Sequence, residues 1–467
     1  MFAATLFLSL VLNPAVAGPS GQGGWSETEH DVVIRAKKFH YAAKTGYLNL
    51  TGEKEDDVQA RIFFTSYSIP SDPNRPITFV WNGGPGASSM LMHMRNLGPR
   101  KLVALDDKQS KFGVENNDNS LLPTTDLVFM DPVGTGFSKA VGVDEKSFWG
   151  ANEDLQATQR FIQRYLEVTG RVKAPVFLAG ESYGTFRAAG LAYPLLQRGI
   201  DVRGLILISN AIRMSAHMAD SYNDAMYVGF LPTYTATAAF HKKLGPELNG
   251  NIQKAISESM RFAQSEYLPA LAKGDELAPS ERKELAKKLS ALTGIDADTY
   301  EKSHLRLDPE RFRTLITASQ HKPVDIYNGS LIGAFLPDSK PSIERFREYL
   351  DKELGFTEQG EYIPLNIRAN ANWKWGSALG GPPSVMDRLR TALVKYPSLR
   401  VFVAQGCYDF ATPFFSSMYT MKHLGLPDEI KDHWQLKVYE GGHMMYLEPE
   451  AHVKLHDDLE QFMTSLK

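Results

Sequence analysis

The chain of 467 residues contains a single cysteine, Cys407, so no intrachain disulfide can form and a small cysteine-stapled scaffold is excluded. Stability has to come from a buried core. Net charge is also nearly absent: 51 Lys and Arg face 54 Asp and Glu, a formal balance of -3. That balance provides no global field to gather nucleic acid or an anionic membrane surface, so neither is an expected partner. The sequence has no GxxxxGK[ST], no HExxH, no pair of CxxC motifs and no dinucleotide fingerprint between a strand and a helix; no metal or organic cofactor is expected. Cys407 ends the apolar run VFVAQGCYDF with no basic or His-rich neighbours in sequence, which fits a packing residue better than an activated nucleophile.

The N-terminal apolar run has no Lys or Arg ahead of it, yet residues 1–17, MFAATLFLSLVLNPAVA, end in the small-x-small pattern Ala15-Val16-Ala17 of a signal peptide. A bilayer span needs about 20 apolar residues, and Pro14 interrupts this run, so no stable membrane span is expected. The reading is an exported protein, periplasmic or secreted, with a Gly- and Ser-containing flexible tether over residues 18–29.

What is present is an alternation of short apolar runs and helical patterns. Residues 31–70 alternate apolar and polar around Thr45-Gly46 and Thr51-Gly52, predicting antiparallel strands with tight turns there. Ile77 to Val80, Leu127 to Met130, Val176 to Ala179 and Leu205 to Ser209 are apolar without alternation, as strands covered on both faces are. Helical patterns at Glu153 to Val168 and Thr185 to Gln197 lie between them, which implies a mostly parallel central sheet flanked by helices, with its site at the strand carboxyl ends. From 213 to 395 long charged amphipathic stretches take over, such as Ile252 to Lys273, Ser280 to Leu292 and Ser342 to Leu354. Two further strands, Val401 to Ala404 and Leu436 to Tyr439, precede a last helix, Ala451 to Leu466. The simplest division is an α/β core of residues 30–212 and 396–467, with residues 213–395 inserted as a helical cap.

Gly180-Glu181-Ser182-Tyr183-Gly184 has the G-x-S-x-G form and sits between a strand and a helix, the context of the nucleophile in the α/β-hydrolase fold. The flanking glycines relieve the crowding of a turn sharp enough to raise a serine above the sheet. A serine hydroxyl attacks only when a base takes its proton, and in this fold the chain order is Ser, acid, His. Asp409 and His443 follow in that order, each just after a predicted strand. The segment Trp81-Asn82-Gly83-Gly84-Pro85-Gly86 follows the strand Ile77 to Val80, where a first oxyanion donor belongs. The donors expected are the Gly84 N–H and the N–H of Tyr183, the residue after the nucleophile.

Together, Trp81 to Ser89 (WNGGPGASS), Asp131 to Ser138 (DPVGTGFS), Gly180-Glu181-Ser182-Tyr183 and Gly442-His443-Met444 resemble the serine carboxypeptidases. The resemblance implies release of C-terminal amino acids from peptides with a free C-terminus, at acidic pH, with Asn82 and Glu181 binding the terminal carboxylate. The sequence departs from that family at Ala87, where many members have a cysteine, and at Asn96, where an acid is frequent; Gly184-Thr185-Phe186 also differs. Alternative readings are an esterase or acyltransferase on the same scaffold, and a non-catalytic binding protein of hydrolase fold. Asn49-Leu50-Thr51 and Asn328-Gly329-Ser330 match glycosylation acceptors.

Overall fold

The computed structural model describes residues 16–17, 23–54, 56–70, 74–217, 223–334, 339–376 and 383–466. The signal-peptide reading of residues 1–17 lies outside them but for the pair Val16–Ala17, which runs antiparallel to Gly24 and Trp25. The central sheet contains β1 (Gly23–Ile34), β2 (Lys37–Thr51), β3 (Val58–Ser68), β4 (Ile77–Trp81), β5 (Asp126–Met130), β6 (Val176–Glu181), β7 (Val202–Ile208), β8 (Arg400–Gly406) and β9 (Trp434–Tyr439). Their order in space is β1-β2-β3-β5-β4-β6-β7-β8-β9. Pairing is antiparallel from β1 to β5 and parallel from β5 through β9.

Residues 18–29 do not form a tether as far as they are described: β1 begins at Gly23. Trp25 packs edge-on against Phe64, with ring centroids 6.1 Å apart, and this anchors the start of the strand. Thr45-Gly46 is not a turn either, because β2 runs straight through it. A Cβ on Gly46 would come 2.3 Å from the Gly24 carbonyl, so this glycine serves close strand approach. The chain reverses instead at Arg35 and Ala36, both at positive φ (47° and 63°); positive φ at both central residues matches the right-handed twist of a hairpin.

In the parallel half, successive side chains alternate between two buried layers. Phe79, Trp81, Leu178, Leu205, Leu207, Val401 and Val403 face one layer. Val80, Phe177, Ala179, Ile206, Ile208 and Phe402 face the other. Helices α1 (Ala151–Val168) and α2 (Tyr183–Gln197) cover the first layer. Each such side chain removed from water stabilises by ~1.5–3 kcal/mol, so two of them match the ~2–4 kcal/mol of a typical disulfide. The lack of cross-links is therefore no handicap. At the far edge β9 alternates half-buried and exposed residues until the buried Tyr439, because no strand among the described residues pairs beyond it.

Between β7 and β8 lie α3 (Asp224–Phe240), α4 (Ile252–Phe262), α5 (Pro279–Thr293), α6 (Lys340–Lys352) and α7 (Met386–Lys395). The first three share an apolar cluster with Tyr408, Phe410 and Phe414 from the segment after β8. Beyond β8, α8 (Phe414–Lys422) leads towards β9, and α9 (Pro449–Thr464) closes the chain.

Candidate active site

The strand register sets the site. Trp81 pairs with Gly180, Glu181 with Ile208, Ile208 with Ala404, and Gly406 with Tyr439, so the carboxyl ends of β4, β6, β7, β8 and β9 share one rim. Ser182 follows β6 directly and opens α2, with φ 57° and ψ -128°. That positive φ is a strained conformation for a residue with a Cβ, costing ~1–3 kcal/mol. Packing over-determines it. The Ser182 N–H donates to Ile208 O (2.9 Å), and the Ser182 carbonyl accepts from the N–H (2.8 Å) and the hydroxyl (2.7 Å) of Thr185. A Cβ at Gly180 would lie 2.1 Å from the Gly184 carbonyl, so the turn closes only with glycine there. Ser182 is half-buried, and its surroundings are buried.

Asp409 and His443, 34 positions apart in sequence, meet with Nδ1 of the imidazole 2.8 Å from Oδ2 of the carboxylate. The pair is 0% and 3% exposed respectively. Asp409 Oδ1 accepts from the N–H groups of Ala411 (2.8 Å) and Thr412 (3.0 Å), and Oδ2 also accepts from the Thr412 hydroxyl (2.6 Å). Burial works against the carboxylate, but the His443 and Thr412 contacts outweigh it and hold Asp409 below the usual carboxylate range. Burial likewise opposes the imidazolium, yet the Asp409 and Glu181 carboxylates raise the His443 pKa above its ordinary value. Main-chain contacts fix His443: its backbone N–H donates to Tyr327 O (2.6 Å) and its backbone carbonyl accepts from the Ser209 hydroxyl (2.6 Å).

The loop after β4 lies directly against the Ser182 turn. A Cβ on Gly83 would stand 2.5 Å from Tyr183 N and 2.8 Å from Ser182 Cβ. The predicted donor segments, Gly84 and Tyr183, are thus neighbours. Asn82 and Glu181 are both buried beside them. Asn82 Oδ1 accepts from Met92 N (3.0 Å), while its Nδ2 lacks a hydrogen bond of regular geometry among the described residues. Glu181 is pushed up by burial, against the pull of His443, the Tyr446 hydroxyl that donates to its Oε2, and the Asn82 amide. Asn96 is buried nearby, its Nδ2 3.3 Å from Met92 Sδ and its carbonyl accepting from Asn117 Nδ2 (2.7 Å). A cavity of about 220 Å³ opens past His443, lined by Arg95, Tyr327, Asn328, Met444 and Glu448 among others.

Several residues at this site are silent in the sequence. Arg187 is wholly buried, donating from Nε and Nη2 to Asp154 (3.0 and 3.1 Å) and from Nη1 to Asn82 O (3.0 Å). It ties the glycine loop to α1 and α2. The one local hint is that α2 is otherwise apolar, which leaves no polar face for an arginine to join. Thr412 and Tyr446 carry no sequence signal at all. Cys407 is buried and its thiol pushed up to about 12, as suits a packing residue. Asn328 is buried, with Oδ1 accepting from the Ser330 N–H and hydroxyl, so it does not present itself as a glycosylation acceptor. Among the described residues no group of three His, Cys, Asp or Glu is placed to hold a metal ion.

Asp131, from the second motif, sits behind the glycine loop and accepts from Ser89 N (2.7 Å). A Cβ at Gly136 would fall on its Oδ2, at 1.7 Å. Burial pushes its pKa up to about 7, against the opposing pull of Ser89 and Tyr362. The native fold therefore holds this proton more tightly than the unfolded chain does. Its contribution to stability is complete below the unfolded carboxylate pKa near 3.8 and is lost as pH rises towards 7. Asp131→Asn is expected to remove this loss, which is on the order of a few kcal/mol. Melting temperatures at pH 5 and pH 8 should move closer together in the variant than in the wild type; an unchanged gap contradicts the assignment.

A sequence model of the serine carboxypeptidase family matches residues 35–328. This chain belongs to the serine carboxypeptidase family. The match carries Ser182 and the glycine loop and ends before Asp409 and His443. The pheromone-processing carboxypeptidase kex1 of Aspergillus oryzae is 29% identical over 194 residues, 38% of this chain and 29% of that protein. Its counterpart in Yarrowia lipolytica is 35% identical over 138 residues, 28% of this chain and 21% of that protein. The chain thus spans less than a third of the length of these curated relatives. The crystal structure of Kex1(Δ)p, a prohormone-processing carboxypeptidase from Saccharomyces cerevisiae, superimposes with a TM-score of 0.50 at 16% identity, covering 88% of this chain and 79% of that one. At that identity the likeness speaks to the fold, which is that of the α/β hydrolases. No helix among the described residues is long and apolar enough to cross a membrane.

Proposed function

We propose that this serine carboxypeptidase family member removes C-terminal amino acids from peptides through an acyl-enzyme on Ser182. His443 Nε2 takes the hydroxyl proton as Ser182 Oγ attacks the last peptide carbonyl, and Asp409 holds the imidazole in the tautomer this requires. The developing oxyanion is received by the Gly84 and Tyr183 N–H groups. His443 then protonates the leaving amine, and water enters to hydrolyse the ester. The cavity beyond His443 takes the side chain of the departing residue. The apolar leader of residues 1–17 supports an exported protein, periplasmic or secreted.

The observation that carries the peptidase reading over an esterase or acyltransferase is Glu181, buried beside Ser182 and Asn82 and biased towards its protonated form. A neutral carboxyl donates a hydrogen bond to a substrate carboxylate, whereas an ionised one repels it. The test compares a peptide with its C-terminally amidated form across pH. The free acid should be preferred about 10- to 100-fold in kcat/KM at acidic pH, the worth of a charge-assisted hydrogen bond. KM for the free acid should rise as pH rises through the Glu181 pKa and stay flat in Glu181→Gln. Equal turnover of acid and amide at every pH favours the esterase reading.

A further inference from the structure

Residues 362–375 come from the stretch between β7 and β8 that carries no family motif, yet they run as a strap across the loops behind the nucleophile. Ala87 pairs antiparallel with Leu365, and Gly136 with Ile363. Ser88 N donates to Pro364 O (2.9 Å) and Asn366 N to Gly86 O (2.8 Å). Asn366 Nδ2 reaches Gly134 O (2.8 Å), and Asn370 Nδ2 reaches Pro85 O (2.9 Å), the residue next to Gly84. The other end touches the other donor residue: Trp373 and Trp375 pack edge-on against the Tyr183 ring, at 5.5 and 5.8 Å between centroids. Between them Lys374 ties the strap to the start of α1, donating from its backbone N to Trp149 O (3.0 Å) and accepting at its O from Ala151 N (2.8 Å).

We propose that this strap sets the separation of the two oxyanion donors, with Asn370 as a positioning residue for the Gly84 loop and Trp373 for Tyr183. The inference rests on the oxyanion assignment above. Gly83 to Gly86 has little side-chain packing of its own, and glycine backbones at positive φ (Gly84 99°, Gly86 91°) have many alternatives open to them. Donors stabilise a transition state only when aimed in advance, and sub-ångström drift is enough to matter. A strap that bonds one donor loop and packs the other donor's side chain fixes both with one element. The catalytic rim is thereby made dependent on this segment, through bonds to Pro85, Gly86 and Gly134 and packing on the Tyr183 ring.

Asn370→Asp keeps the size of the side chain and removes the donor to Pro85 O. Its kcat on a blocked dipeptide with a free C-terminus should fall by about 10- to 100-fold, the scale of a misplaced catalytic group, with KM within about twofold. Affinity for the matching peptide boronic acid, which forms a tetrahedral anion on the serine, should fall in parallel, while affinity for the amino-acid product should not. Trp373→Phe, approached from the Tyr183 side, should show the same split, and it decides the matter if Asn370→Asp does not fold. Asn372→Asp serves as control, since Asn372 Nδ2 bonds Arg368 O within the strap itself (2.8 Å). Folded Asn370→Asp and Trp373→Phe proteins with wild-type kcat and boronate affinity overturn the proposal. A wild type that turns over the dipeptide but gains nothing from the boronate overturns the oxyanion assignment itself, and a wild type inert to both overturns the function proposed above.

Discussion

Ser182→Ala is expected to abolish turnover, with kcat falling by roughly 10⁶, the scale seen when a nucleophile that acts as a unit with its base is removed. Labelling by a fluorophosphonate probe should disappear with it. Binding of peptides with a free C-terminus should survive, because Asn82 and Glu181 are untouched. A stability measurement separates lost chemistry from lost structure. Alanine inherits the φ of 57° and its strain, so Ser182→Ala should melt like the wild type. Glycine adopts that φ freely, so Ser182→Gly should be equally inactive yet more stable by ~1 kcal/mol. An alanine variant that retains a tenth of the activity, or still takes the probe, contradicts Ser182 as nucleophile, whereas a wild type that neither turns over peptides nor takes the probe leaves a binding protein of hydrolase fold as the better reading.

The second large effect is expected at Asp409. Asp409→Asn should lower kcat by about 10⁴ while the protein still folds. Oδ1 is committed to the Ala411 and Thr412 N–H groups, so the amide of asparagine has to put its oxygen there and turn its NH₂ towards His443 Nδ1. Nδ1 then becomes the acceptor, the proton sits on Nε2, and the imidazole is unable to accept one from Ser182. A turn-forming aspartate without a catalytic part would give the opposite pattern, a loss of stability with kcat preserved. The kinetic constants and a denaturation curve of the same preparation distinguish the two.

The sharp turn at Ser182 was legible because its requirements are local: an apolar run for a buried strand, two glycines where main chain crosses main chain, and a serine between them. The order of Ser182, Asp409 and His443 was legible because each follows a strand, and parallel strands bring their ends to one rim. The fold was read at the same level, and its errors were local too. Gly46 read as a turn because glycine marks both turns and close approaches, and only the Gly24 strand alongside distinguishes them. Arg35 and Ala36 carry no turn chemistry, so the real hairpin went unseen. Arg187 and Tyr446 belong to contacts across long stretches of chain, and a side chain's partner at that distance leaves no periodicity behind; Thr412 bonds Asp409 only three residues away, but one hydroxyl in a loop has no periodicity to show.

The sequence by itself determined the strand-to-helix alternation, the strained serine turn and the identity of the groups at the rim, because backbone sterics and hydrophobic periodicity act over a few residues. Only the tertiary structure decided that Arg187 is buried on Asp154, that burial raises the Glu181 pKa, and that a strap from between β7 and β8 lies against the glycine loop. Burial and desolvation belong to whatever packs from elsewhere in the chain, and the energy of a charge depends on that packing more than on its neighbours in sequence.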